Sequence, residues 1–125
     1  MEITIRAYQE YLRQRYSGWT TEQGLFMKLV EECGEVAEVL NQRAGYKKSS
    51  DVNLSVELGR ELADMIHYII SIAAINEIDL SAIMLEKDKR ASEKYHHDTN
   101  LELFLRERVN ATLILDHCDT EKVYH

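Results

Sequence analysis

The chain has 125 residues, 45% hydrophobic and 30% charged, enough apolar material for one packed domain and too much for a disordered segment. Its formal net charge of −7 argues against a general nucleic-acid binder, which needs a basic face for phosphates, but leaves room for a nucleotide held through bound cations. Two cysteines, Cys33 and Cys118, make no disulfide framework and no zinc-ligand spacing, and the opening MEITIRAYQE lacks the basic-then-apolar order of a signal peptide.

The chain contains no proline, and apolar residues recur at spacings of three and four, which predicts an all-α fold. A first helix is expected over Ile3 to Tyr16, stopping at Ser17-Gly18-Trp19. Thr20 or Thr21 then caps a second helix that runs to Arg43, with Gly45 just past its end. Residues 45–53, GYKKSSDVN, form a polar loop that lacks the full P-loop pattern. A third helix is expected over Leu54 to Asn76, and a fourth, capped by Asp79 or Ser81, up to Tyr95. Beyond His96-His97-Asp98, a frayed helix end, the signal weakens. Leu101, Phe104, Leu105 and Val109 suit a short helix, and ATLIL reads equally as strand or helix. The longest apolar run, MIHYIISIAAI, is too short to span a bilayer and carries a histidine, so the expectation is a cytoplasmic protein with no membrane partner.

Four glutamates fall within residues 31–38, although acidic neighbours on one helix repel. At 100° per residue the second helix presents Leu25, Leu29, Cys33, Val36 and Leu40 as its apolar stripe, with Cys33 a small core residue. Glu31 and Glu38 point away into solvent, whereas Glu32 sits on the edge of the stripe and Glu35 just beyond, one turn along. The third helix repeats the arrangement. Its stripe is Leu54, Leu58, Leu62, Met65, Ile69 and Ile72; Glu61 is on the edge, Asp64 one turn on, and Tyr68 one turn further. Packed side by side, the two helices bring four carboxylates together, which full ionisation disfavours unless a cation joins them. Hard oxygen donors without cysteine suit Mg²⁺ or Mn²⁺. The same acid pairs also suit plain solvated helix surface.

KLVEECGEVAEVL followed by ELADMIHYIISIA resembles the MazG-like, all-α nucleoside triphosphate pyrophosphohydrolases, whose signature is ExxE, a spacer, then ExxD. Here it reads Glu32-Cys-Gly-Glu35 and Glu61-Leu-Ala-Asp64. The resemblance covers roughly residues 3–95, giving an expected MazG-like domain over 1–98 and a C-terminal extension of unknown role over 99–125. It implies a four-helix arrangement assembling as a homodimer or homotetramer. It also implies Mg²⁺-dependent cleavage of a (d)NTP to a nucleoside monophosphate and pyrophosphate. Carried over by position, Glu32, Glu35, Glu61 and Asp64 are the metal ligands, and Glu32 also orients the attacking water. Tyr68 falls where relatives resembling dCTP pyrophosphatases place a tyrosine near the substrate, and Trp19 falls near a base-stacking tryptophan. EKDKRASEKYHH is similar to the family's K-x-x-x-N-x-x-R/K segment, with Lys87 and Lys94 at the basic positions and Ala91 where asparagine is usual. Gln42 stands where the dCTP-specific relatives carry an aromatic, so no cytosine preference is carried over.

Several of these residues have structural readings as well. Trp19 suits a core or staple position, Tyr68 a bundle seam, and Lys28 a surface pairing with Glu32. Asp64-x-x-His67 is half of a di-iron helix motif, but only one copy exists and His67 points further from the stripe than Asp64. The alternatives are a phosphoribosyl-ATP pyrophosphohydrolase, whose usual tyrosine-histidine order is here Ile66-His67-Tyr68, and a non-catalytic helical oligomer or regulator. The apolar stripes are wider than one small bundle needs, which points to a partner subunit.

Overall fold

In a computed structural model that describes residues 1–45 and 53–123, with side chains to residue 117, the chain forms five α-helices and no strand among the described residues. They are α1 (Ile5–Tyr16), α2 (Glu22–Arg43), α3 (Leu54–Ile75), α4 (Leu80–Lys94) and α5 (Leu101–Val123). The loop read at residues 46–50 and the side chain of Cys118 lie outside the described residues. The chain divides into two compact units, Met1–Leu80 and Ser81–His125.

In the first unit, local chemistry sets the helix ends. Thr4 caps α1 through a hydrogen bond from the Ala7 N–H, and Thr21, rather than Thr20, caps α2 by accepting from the Gly24 N–H. Asn53 caps α3 by accepting from Ser55 and Val56. Gly18 and Gly45, both at φ +80°, end α1 and α2 in the left-handed conformation that glycine adopts without a Cβ clash. The C-terminus of α3 closes the same way without glycine. Glu77 takes φ 55°, its N–H bonds to the Ala74 carbonyl, and the Ile78 N–H bonds to the Ala73 carbonyl.

α3 is the central element and packs on both α1 and α2. The core draws one cluster from all three: Leu12 and Tyr16 of α1, Leu25 of α2, Ile70 and Ala74 of α3. Small residues make the approach possible. Ser71 is fully buried and donates its hydroxyl to the His67 carbonyl at 2.6 Å, while Ala73 and Ala74 leave room for α1. Gln9 fastens α1 to the turn after α3. Its side-chain amide donates to the Ile78 carbonyl at 2.6 Å, and its carbonyl accepts from the Leu80 N–H at 3.2 Å.

The sandwich position of α3 corrects the single-stripe reading. Its buried residues are Ile70, Ser71, Ala73 and Ala74, and His67 is partly buried on the same side, whereas Leu62 and Ile69 of the expected stripe are over 40% exposed. On α2 the buried residues are Leu25 and Val39; Leu40 is exposed, and Cys33, expected in the core, is an exposed free thiol. A helix contacted on two sides has no single apolar arc, so averaging over one arc misplaces its centre.

In the second unit, the turn after α4 closes at His96 (φ 57°), with the His97 N–H bonded to the Ser92 carbonyl, so the expected frayed end is a closed turn. Asp88 accepts from the Leu101 N–H at 2.6 Å and Asn100 accepts from the Leu103 N–H, and together they start α5. The tail read as a short helix plus an ambiguous ATLIL is thus one helix of 23 residues.

Leu12→Ala, which empties the only fully buried large apolar side chain among the described residues, is expected to lower unfolding free energy in urea by about 3 kcal/mol. Glu77→Gly, which relieves a left-handed residue at a helix end, is expected to raise it by about 0.5–1 kcal/mol.

Candidate functional site

Because α2 and α3 lie side by side, the two acidic steps face one another. Carboxylate oxygens of Glu32, Glu61 and Asp64 all lie within 4.8 Å of one another. Glu32 and Glu61 are partly buried and Asp64 is exposed, so the group sits at the mouth of the helix pair with one side open. Glu35 is exposed and adds its charge to the same field without joining the tight cluster. Glu38 is partly buried, while Glu31 is exposed and pairs with Lys28 at 3.2 Å, in place of the pairing expected between Lys28 and Glu32.

The electrostatic consequence falls on Glu61. Burial pushes its carboxyl above the usual carboxylate range, and the hydrogen bond with Glu32 and the charges of Glu32, Glu35 and Asp64 push the same way. Two carboxyl groups in hydrogen-bond contact share a proton more readily than they hold two charges. A divalent cation does what the proton does and does it better, since it can bond all three oxygens at once. The donor set fits such an ion: three carboxylates, with no nitrogen or sulfur donor among the described residues of the cluster, suit a hard cation that keeps water in its remaining positions. The partial exposure leaves those positions reachable by phosphate oxygens.

An aromatic wall flanks the carboxylates. Tyr68 stands edge-on to His67 with ring centres 5.0 Å apart, and burial, Tyr16 and Glu32 in turn push its phenol upward. His67 joins α3 to α1: its Nε2 is 2.6 Å from the Tyr16 hydroxyl and its Nδ1 is 3.2 Å from the Tyr8 hydroxyl. Burial and the Arg15 charge hold His67 below the usual histidine range, which favours its neutral form, while Asp64 opposes them. Trp19 lies over Tyr16, ring centres 5.1 Å apart, and donates its indole N–H to the Arg15 carbonyl at 2.7 Å. It is 67% exposed, so it is neither a core nor a staple residue.

The sequence profile of the MazG nucleotide pyrophosphohydrolase domain matches residues 20–97, well over half of the chain. The chain belongs to the MazG family. Comparison with curated protein sequences gives no significant match. MazG membership carries the coarse function, nucleotide pyrophosphohydrolase chemistry on a phosphoanhydride bond, and the acidic cluster lies inside the matched segment. Family members generally depend on a divalent metal, in keeping with that cluster. No single helix among the described residues is long and apolar enough to cross a membrane.

Of the residues singled out from sequence, the structure unites Glu32, Glu61 and Asp64, sets Glu35 at their edge, and places Tyr68 one turn beyond Asp64. Lys87 and Lys94 are exposed on α4, in the second unit, and the Lys94 ammonium lies 5.4 Å from the Tyr95 ring centre. Tyr8, Tyr16 and the structural partnership of His67 escaped sequence reasoning. The available signal was the Tyr8-Leu12-Tyr16 spacing, which puts both phenols on the buried face of α1. A cleft of about 740 Å³ at the turn after α1, lined in part by Arg13, Thr20, Asn76 and Glu77, contains none of Glu32, Glu35, Glu61 and Asp64.

A carboxyl whose folded pKa is raised favours the folded state below its unfolded value and withdraws that stability as pH rises through its folded value. Without divalent ions, the melting temperature of the wild type should therefore fall relative to Glu61→Gln as pH rises from about 4.5 towards 7. Saturating Mg²⁺ should flatten that difference, read by thermal melts across pH.

Proposed function

We propose that this chain hydrolyses a nucleoside or deoxynucleoside triphosphate between its α and β phosphates, releasing a nucleoside monophosphate and pyrophosphate. The observation that carries the proposal is the convergence of Glu32, Glu61 and Asp64 within 4.8 Å in a chain of the MazG family. Glu32, Glu35, Glu61 and Asp64 hold Mg²⁺, with Mn²⁺ as a substitute. The cation supplies charge neutralisation on the triphosphate and a more acidic water.

The residues divide the remaining work. Glu32, already in hydrogen-bond contact with Glu61, orients the attacking water and accepts its proton. One P–O bond forms to that water and the bridging P–O bond breaks, so the leaving group is pyrophosphate. Trp19 and Tyr68 face the base, and Lys87 and Lys94, which match the family's basic segment, are assigned to phosphate binding as point charges on the strength of that resemblance alone. Removing incorrect or surplus nucleotides from the cellular pool fits such a reaction.

We take residues 1–98 as the catalytic domain, 99–125 as an extension, and the working form as a homodimer or homotetramer in the cytoplasm. The oligomer is supported by large apolar side chains that the subunit leaves exposed on the two acid-bearing helices: Phe26, Met27 and Val30 of α2, and Leu62, Ile66 and Ile69 of α3. Large apolar side chains left to water in this number are the kind of surface that a partner covers.

Purified protein with Mg²⁺ should release pyrophosphate from at least one common NTP or dNTP in a screen that also includes phosphoribosyl-ATP. Asp64→Asn and Glu35→Gln should each reduce turnover at least ~100-fold while melting within a few degrees of wild type without metal. Unchanged turnover in both variants would refute the metal assignment. No turnover by the wild type, together with no Mg²⁺-dependent rise in melting temperature, would favour the non-catalytic oligomer.

A further inference from the structure

His67 is the one side chain that ties the aromatic wall together. Its two ring nitrogens reach the hydroxyls of Tyr16 and Tyr8, both on α1, and its ring edge meets Tyr68, its neighbour on α3. A neutral imidazole carries one N–H and one bare nitrogen, so in either tautomer one phenol donates and the other accepts, and both bonds are satisfied. Tyr16 is 8% exposed, so its ring position is set from inside the fold. Trp19 leans on that ring at 42° with its indole N–H bonded to the Arg15 carbonyl, yet two thirds of its surface faces solvent. A large flat side chain held from one side and bare on the other is a surface for another flat group.

We propose that His67 is a positioning residue for the nucleobase: by holding Tyr16 against Trp19 and standing edge-on to Tyr68, which lies one turn beyond Asp64, it fixes the two aromatic side chains that face the base. This rests on the reading of Trp19 and Tyr68 as base-facing residues. A merely structural packing role asks for shape alone, which phenylalanine supplies at residue 67. Positioning asks for the two hydrogen bonds, which phenylalanine does not supply and glutamine, with one donor group and one acceptor, does.

Trp19 is the only tryptophan in the chain, so intrinsic emission reports on this wall without any chemistry. The full chain, its His67→Phe, His67→Gln and Tyr16→Phe variants, and the α,β-methylene analogues of dATP, dGTP, dCTP and dTTP make the test. With Mg²⁺ present, at least one analogue should quench the wild-type emission. His67→Phe and Tyr16→Phe should weaken that binding about tenfold and raise KM by a similar factor, with kcat held within about twofold. His67→Gln should return both values to within about threefold of wild type. If His67→Phe fails to fold by circular dichroism, Tyr16→Phe, which loses one hydroxyl, carries the test.

Wild-type binding and KM in both phenylalanine variants overturn the proposal, as does a fall in kcat at unchanged KM, or no quenching of the wild type by any analogue. If the wild type hydrolyses no triphosphate, the site reading fails by itself. The clamp is then judged by Trp19 alone: emission maximum and acrylamide quenching identical in wild type and Tyr16→Phe overturn it, and a red shift with greater quenching supports it.

Discussion

Like charges forced together by apolar packing are the constraint on which this structure turns. Glu32 of α2 and Glu61 and Asp64 of α3 meet because the helices that carry them are pressed side by side through a core that includes Leu25 and Ile70. The carboxylates do not choose one another; hydrophobic burial elsewhere along the helices sets their distance. Burial first, and the neighbouring carboxylates after it, make Glu61 hold its proton more firmly than a free carboxyl would. A cation bound there would relieve a repulsion that the fold maintains.

α1 contributes no carboxylate to the cluster, yet it determines what surrounds it. Leu12 anchors it in the core, Gln9 pins it to the turn after α3, and between them Tyr8 and Tyr16 reach His67. Polar groups at a helix interface stabilise less than well-packed apolar ones unless every donor and acceptor finds its partner. Here they do: no buried side-chain nitrogen or oxygen among the described residues lacks a hydrogen bond. The helix thus converts apolar packing into a defined orientation of aromatic rings next to the acids.

The chain is economical in what it buries. Only seven hydrophobic residues among those described are buried, while Phe26, Ile66 and Phe104 are more than half exposed. On α2 and α3 the exposed apolar residues lie on the helices that carry the acids, so a partner covering them would also rigidify the carboxylates. α5 shows the same surplus within the second unit. Leu103, Phe104, Val109 and Leu115 lie on several of its sides, so its apolar periodicity is too weak to distinguish helix from strand in ATLIL.

By itself the sequence determined the helical class, four of the five helices nearly to their ends, and the acid pairs, because these depend on local spacing and capping chemistry. The glycines at 18 and 45 and the acid-x-x-acid steps needed no knowledge of neighbours. Tertiary structure alone decided which face of α3 is buried, since α3 answers to two helices at once and a one-sided stripe has no way to express that. It also decided that Cys33 is exposed, that Lys28 pairs with Glu31, and that His67 belongs to two tyrosines over fifty residues away in the chain. Spacing along a helix fixes an angle about its own axis; only packing fixes what stands at that angle.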